Sequence, residues 1–335
     1  MSSFRHRLEQ SWYRPGGAWY LMRPLAWLFG LIVRLRRWAY ARRWLTVERV
    51  GVPVLVIGNI TVGGSGKTPL ALALIDRLGA RGLRVGVVSR GYGGQADRYP
   101  LVVSTATPAT EAGDEPLLLA RTGRAVVAVD PVRPRAARYL VERYGVQVIL
   151  ADDGLQHYAL ARDAEIAVTD TRRGLGNGWL LPAGPLREPA SRLNEVDLSL
   201  RHGRDGDFYL VPDQVTAVVG DHARPLSDFE AAEVHAVAGI GDPERFFAML
   251  RDAGLRVIAH PMNDHHRFVR ADIDFDDGRP VLMTAKDAVK CSAFADRRHW
   301  AVDVQPRLSA TGERRIDALL DRLCAGIPPQ EITPS

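Results

Sequence analysis

The chain is poor in lysine and cysteine and has no apolar run of bilayer length, and each scarcity excludes something. Cys291 and Cys324 are the only cysteines, far apart and without metal-ligand spacing. A disulfide framework and a thiolate zinc site are therefore not expected, and a reducing compartment is. The most apolar stretch, residues 18 to 33, is interrupted by Arg23 and Pro24 and is short for a spanning helix. No small-residue cleavage site follows it, so it makes a poor signal peptide. Of 44 basic residues only Lys67, Lys286 and Lys290 are lysine.

Charge is unevenly spread. The first 50 residues carry ten arginines against Glu9 and Glu48, a local net of +8 within a total of +5, which leaves the remainder at −3. Basicity is a property of the terminus, so no nucleic-acid partner is expected. The apolar stretch has Trp19, Tyr20 and Trp27 as interfacial anchors and is followed by Arg34, Arg36, Arg37, Arg42 and Arg43. It reads as a helix lying in, or partly inserted into, the inner leaflet, with its arginines on anionic headgroups and the following chain in the cytoplasm. A helix that caps the core of a soluble protein is the alternative.

The most informative stretch is Val54 to Thr68, VLVIGNITVGGSGKT, followed by Pro69 and a segment with Leu70, Leu74, Ile75 and Leu78 on one helical face. Strand, glycine-rich turn, Lys-Thr and helix are the parts of a phosphate-binding loop for ATP and Mg²⁺. Thr61, Val62, Gly63, Gly64, Ser65, Gly66, Lys67 and Thr68 would surround the phosphates, with Lys67 neutralising charge and Thr68 reaching the metal. In this arginine-biased chain, a lysine at that turn marks a site needing a compact point charge. The spacing departs from G-x-x-x-x-G-K-[ST], because Thr61 stands where the first glycine belongs.

Strand candidates Val54–Ile57, Val85–Val88, Val126–Val129, Val146–Leu150 and Ile166–Thr169 alternate with helical patterns over Pro69–Leu78, Pro116–Arg121 and Arg135–Tyr144. The alternation predicts an α/β fold: a P-loop NTPase-like, mainly parallel sheet with helices on both faces and ligands at the strand C-termini. A second, smaller α/β unit begins near Val234, where Asp242 and Pro243 open a helix. The organisation expected is an N-terminal membrane-associating helical segment over 1–50, a kinase core over 51–200, a polar linker over 201–225 and a C-terminal α/β domain over 226–330. Gly239-Ile240-Gly241 is too weak a motif for a dinucleotide site and reads as turn chemistry.

Other residues could carry chemistry. Asp152 and Asp153 end a buried strand, where an NTPase holds Mg²⁺ directly or through water. Asp114 and Glu115 precede a helix, and in an ATP-binding domain one of them could be the base for an attacking hydroxyl. Asp264-His265-His266 matches no clean metal motif but could tune a base across a cleft. Arg187-Glu188 could supply charge to a transferring phosphoryl group, and Lys286 could contact phosphate.

Taken in order, GNITVGGSGKTP, SRGYGG, GDEP, ADDGLQH, LLPAGPLREP, DHHRF and TAKDAVK resemble the tetraacyldisaccharide 4'-kinase family of lipid A biosynthesis, over residues 15 to 300. The resemblance implies transfer of the ATP γ-phosphoryl to the 4'-hydroxyl of a membrane-held tetraacylated disaccharide 1-phosphate, giving lipid IVA at the cytoplasmic face of the bacterial inner membrane. It implies Asp114 as catalytic base, assisted by His265 or His266, with His265 preferred. Asp152, Asp153, Thr68 and Glu188 would serve Mg²⁺ and the phosphates, and Arg187 would sit near the transferring group. It also makes Thr61 the family's own residue. Two other readings stay open: a membrane-associated P-loop ATPase switch, against which Val62 stands where a signature lysine is wanted, and a soluble kinase for a small metabolite.

Overall fold

Short runs that are apolar on both faces become the central strands. The computed structural model describes residues 8, 11–13, 18–64, 66–220, 222–264 and 266–329. In chain order come α1 (Arg23–Ala41), β1 (Val54–Gly58), α2 (Lys67–Gly79), β2 (Val85–Ser89), β3 (Leu101–Val103), α3 (Ala109–Ala112), α4 (Asp114–Arg121), β4 (Val126–Val129), α5 (Arg133–Tyr144), β5 (Val148–Ala151) and β6 (Ala164–Asp170). The second half contains β7 (Leu198–His202), β8 (Phe208–Ala217), β9 (Ala223–Pro225), β10 (Glu233–Ala238), α6 (Pro243–Asp252), β11 (Arg256–Pro261), β12 (Val281–Thr284), α7 (Ala285–Cys291), β13 (His299–Leu308) and α8 (Ala310–Leu323).

Among the described residues the strands form one sheet in the order β11-β10-β12-β13-β8-β7-β6-β1-β5-β2-β4-β3, with β9 beside β8. Every residue of β1, β2 and β5 is buried, as parallel strands covered on both faces require. Leu70, Leu74 and Leu78 of α2 pack on one face with Leu117 and Leu119 of α4, and Ala136, Ala137 and Leu140 of α5 cover the other. Around β10 and β12 the same layering recurs, with Phe246, Phe247 and Leu250 of α6 on one side and Ala288 and Cys291 of α7 on the other. Asp242 takes the N-cap position of α6, yet its side chain makes no capping bond.

The segment 201–225, expected to be a polar linker, holds the end of β7, all of β8 and all of β9. β8 runs antiparallel to β13 from Phe208 opposite Leu308 to Ala217 opposite Trp300, and this ladder joins the two halves into one sheet. Most of β8 is half-buried or exposed, so main-chain pairing rather than apolar burial holds it, and an apolar pattern in the sequence could not announce it.

α8 returns to the first half. Ser309 caps it by accepting from Gly312 N–H at 3.1 Å, and Ile316, Leu319 and Leu320 enter the same core as α2. Arg77 reaches Asp317 at 2.7 Å, and Arg81 reaches Asp321 at the same distance. Such partly exposed pairs contribute little, so the apolar seam carries the attachment.

α1 buries Ala26 and Gly30 against the body and leaves Leu25, Leu28, Leu31, Ile32 and Leu35 more than half exposed. These five follow the i, i+3, i+4 spacing of one helical face. No helix among the described residues is long and apolar enough to cross a membrane.

Leu320→Ala should destabilise the whole chain by about 2–5 kcal/mol, the cost of a cavity in a packed core. Urea unfolding measures it, and a loss below about 1 kcal/mol would make α8 peripheral.

Candidate functional site

The phosphate loop lies between β1 and α2. Thr61 pairs with Leu186 in an isolated antiparallel bridge and has no positive φ, so its conformation does not call for glycine. That accounts for the departure from the generic spacing. The left-handed positions fall instead at Gly63, φ +102°, and Gly66, φ +79°. A Cβ on Gly66 would also sit 2.8 Å from Nδ1 of the buried His202. Val62 N–H donates to the Pro185 carbonyl at 2.9 Å and Arg187 N–H to the Ile60 carbonyl at 2.7 Å, so the LLPAGPLREP segment braces the loop. On another side Arg173 Nη2 donates to the Gly241 carbonyl at 2.6 Å, and a Cβ on Gly241 would stand 3.4 Å from the Gly64 nitrogen. Lys67 and Thr68 open α2, where unpaired N–H groups and the helix dipole favour an anion. Ser65 lies outside the described residues.

β5 is a parallel neighbour of β1, with Val56 opposite Ala151, so Asp152 and Asp153 leave the sheet beside the loop. Lys67 Nζ lies 3.4 Å from Asp153 Oδ1, and Arg187 Nη1 donates to Asp153 Oδ2 at 2.9 Å. Asp153 has φ +46°, uncommon for a residue with a side chain, and its carbonyl accepts from Arg133 Nη2 at 3.0 Å. Burial works to raise its pKa, but Lys67 and Arg187 hold the carboxyl well below the usual range.

Asp152 has the opposite environment. It is buried, and among the described residues no donor reaches either of its oxygens. Burial first, then the nearby Glu115 and Asp153 carboxylates, push it up to about 7. A buried carboxyl with both oxygens open to a ligand suits a cation. The described residues contain no cage of three or more His, Cys, Asp or Glu side chains. An ion held by one or two carboxylates and by phosphate, as Mg²⁺ is, would find a protein ligand at Asp152. Glu188 is buried too, with Oε2 accepting from Tyr158 Oη at 2.7 Å and Oε1 without a donor among the described residues. His157, pushed down to about 4 by burial and the surrounding arginines, brings no charge at neutral pH.

Across the cleft, Asp114 and Glu115 open α4 and meet the two lysines of α7. Lys286 Nζ donates to Glu115 Oε1 at 3.2 Å, and Lys290 Nζ lies 3.6 Å from Asp114 Oδ2. Burial works to lower the pKa of Lys286, but Glu115, Asp264 and Asp114 raise it, so this ammonium stays charged. Asp264 stands against Gly241, with 3.6 Å between Oδ2 and an ideal Cβ there. His266 Nε2 lies 2.9 Å from Asp272 Oδ2, and His265 is outside the described residues. The sequence did not single out Arg133, Arg173 or His202, each hidden among many similar residues with no motif of its own.

Gly66→Ala should lower ATP affinity on the order of tenfold or more, because it adds left-handed strain of about 1–3 kcal/mol and a clash with His202. Calorimetric titration with ATP tests this, and unchanged affinity would show that the loop tolerates a side chain there.

The profile of the tetraacyldisaccharide-1-P 4'-kinase family matches residues 18–324. A tetraacyldisaccharide 4'-kinase of Alkalilimnicola ehrlichii is 48% identical over 323 residues, covering 94% of this chain and 97% of its own. One from Azotobacter vinelandii is 47% identical over 326 residues, covering 95% and 98%. The fold is similar to a crystal structure of LpxK from Aquifex aeolicus, an apo form in complex with ATP, with a TM-score of 0.77 at 26% identity over 92% of this chain and 99% of that one. The chain belongs to the tetraacyldisaccharide-1-P 4'-kinase family.

Proposed function

We propose that this chain transfers the γ-phosphoryl group of ATP to the 4'-hydroxyl of a tetraacyldisaccharide 1-phosphate, giving lipid IVA, at the cytoplasmic surface of the inner membrane. Family membership supports the reaction, and the ATP complex of the Aquifex aeolicus relative supports the donor. The observation that carries the reading is the proximity of the glycine-rich loop, the buried Asp152 carboxyl, which among the described residues has no donor, and the Asp114–Glu115 pair.

The backbone of Thr61, Val62, Gly63, Gly64 and Gly66 and the start of α2 cradle the phosphates, with Lys67 as the point charge on them. Thr68, Asp152, Asp153 and Glu188 would hold Mg²⁺, which when bound neutralises charge on the phosphates. Arg187, anchored on Asp153, faces the transferring group. Asp114 accepts the proton of the attacking hydroxyl, and a histidine of the Asp264–His266 run, His265 in this reading, assists it. Orientation and charge neutralisation supply most of the acceleration.

The acceptor's acyl chains keep it in the bilayer, so the enzyme must work at the interface. The exposed leucine stripe of α1, with Trp27 beside it at 73% exposure and arginines following, supports docking of this helix in the leaflet.

Incubation of the purified chain with radiolabelled ATP, Mg²⁺ and the disaccharide 1-phosphate should place label in the lipid; ATP hydrolysis without labelled lipid would end the reading. Asp114→Ala should lower kcat on the order of 10²–10⁴-fold with little change in ATP affinity. An effect confined to the ATP KM would assign Asp114 to nucleotide binding instead.

Leu28→Asp with Ile32→Asp should lower sedimentation with anionic vesicles by at least about tenfold, since each leucine-sized side chain removed from water contributes ~1.5–3 kcal/mol. Undiminished binding would move the membrane contact away from α1.

A further inference from the structure

Lys290 is a buried ammonium that the family resemblance leaves without a role. Lys286 and Lys290 are four apart on α7, so they share a face, and that face meets consecutive carboxylates at the start of α4. Both partners of the Lys290–Asp114 contact are largely buried, with 10% and 13% of their side chains exposed.

Behind Lys290 sits Asp287, whose side chain is fully buried. Asp287 Oδ1 lies 2.8 Å from Lys290 Nζ, while Oδ2 accepts from Gly239 N–H at 2.9 Å and from Thr284 Oγ1 at 2.6 Å. Gly239 belongs to the turn that lies against the phosphate loop at Gly64. Lys290 Nζ is also 3.4 Å from the His266 carbonyl and 5.0 Å from the centre of the Phe268 ring. The ammonium thus donates to the His266 carbonyl and forms ion pairs with Asp287 on one side and Asp114 on the other. An arginine, the cation used almost everywhere else in this chain, would bring more donors in a wider fork than this pocket has acceptors.

We propose that Lys290, seated on Asp287, is a positioning residue that orients the Asp114 carboxylate toward the acceptor hydroxyl and holds it ionised. A buried ion network of this kind is weak evidence for added stability. What it does provide is a fixed link between α4 in the first half and the Gly239 turn and His266 segment in the second. Among the described residues, the charged groups around this contact include Glu115 and Arg121 from α4, Lys286 from α7, Asp264 and Asp272. The proposal rests on Asp114 being the base.

Lys290→Met keeps the apolar stem over Phe268 and removes the charge. In the full chain, with detergent-dispersed disaccharide 1-phosphate as acceptor, kcat should fall about 10- to 100-fold, the scale of a misplaced catalytic group. KM for ATP should stay within about twofold, because no ATP-binding residue is altered. Losing the cation favours the protonated carboxyl, so the acid limb of the kcat/KM profile should move up by about one pH unit. Lys290→Arg, which restores the charge, should return the limb toward its original position. Lys290→Met combined with Asp287→Asn removes the fully buried Asp287 charge together with its cation and should show the same limb shift, which covers the case where the single variant fails to fold. On an Asp114→Asn background, Lys290→Met should cost nothing further. Near-normal kcat and an unmoved acid limb in Lys290→Met and in its Asp287→Asn double variant, with Asp114→Asn inactive, would overturn the positioning role alone. Normal turnover by Asp114→Asn would overturn the base reading and this proposal with it.

Discussion

Repulsion among carboxylates gathered at one end of the sheet is the constraint around which this molecule is arranged. Asp114, Glu115, Asp152, Asp153 and Asp264 gather there, and like charges this close cannot all stay ionised without compensation. Compensation comes from Lys67, Lys286 and Lys290, every lysine in the sequence, together with Arg187. One group is left out. Asp152 keeps both oxygens without a donor among the described residues, and the carboxylates beside it add to the effect of burial. On the proposed reading, Asp152 is thereby left for a cation and for the phosphates such a cation accompanies.

Sheet topology sets the distances on which that arrangement depends. Parallel pairing of β1 and β5 sets the Asp152–Asp153 corner beside the phosphate loop, as neighbouring strand ends do in open α/β sheets. The antiparallel ladder of β8 and β13 then carries the second half into line, so that α7 can meet α4 across the opening. The braces on the loop, from Pro185 and Arg187 on one side and the Arg173–Gly241 contact on another, come from segments distant in sequence. On the proposed reading, α1 holds this cleft at the bilayer surface, where a lipid-borne sugar is presented.

Much of the fold was readable from local pattern. β1, β2, β4 and β5 are continuous apolar runs, and α2 shows a clean helical period after its glycines, so burial on both faces could be inferred directly. β8 and β13 could not, because their residues are mixed and their stability comes from main-chain pairing with each other. Helical spacing of Ile316, Leu319 and Leu320 does not by itself place α8; only its docking on the α2 side explains why that face is apolar. Asp242 shows the limit of cap signals: the position was right, while the side chain turned toward Arg172, Arg173 and Arg245 at 3.9 Å.

The same division holds for the site. By itself, the sequence determined which residue types are on offer for the chemistry, because a glycine-rich turn, a strand-end carboxylate pair and a basic apolar terminus each follow from local composition. Only the tertiary structure decided which charges neutralise one another: that Lys67 and Arg187 converge on Asp153, that Asp152 stays open, and that Lys290 stands between Asp287 and Asp114. Electrostatic energy depends on separation in space and on burial. Asp114 and Lys290 are remote along the chain and become neighbours only once the sheet has closed the two halves together.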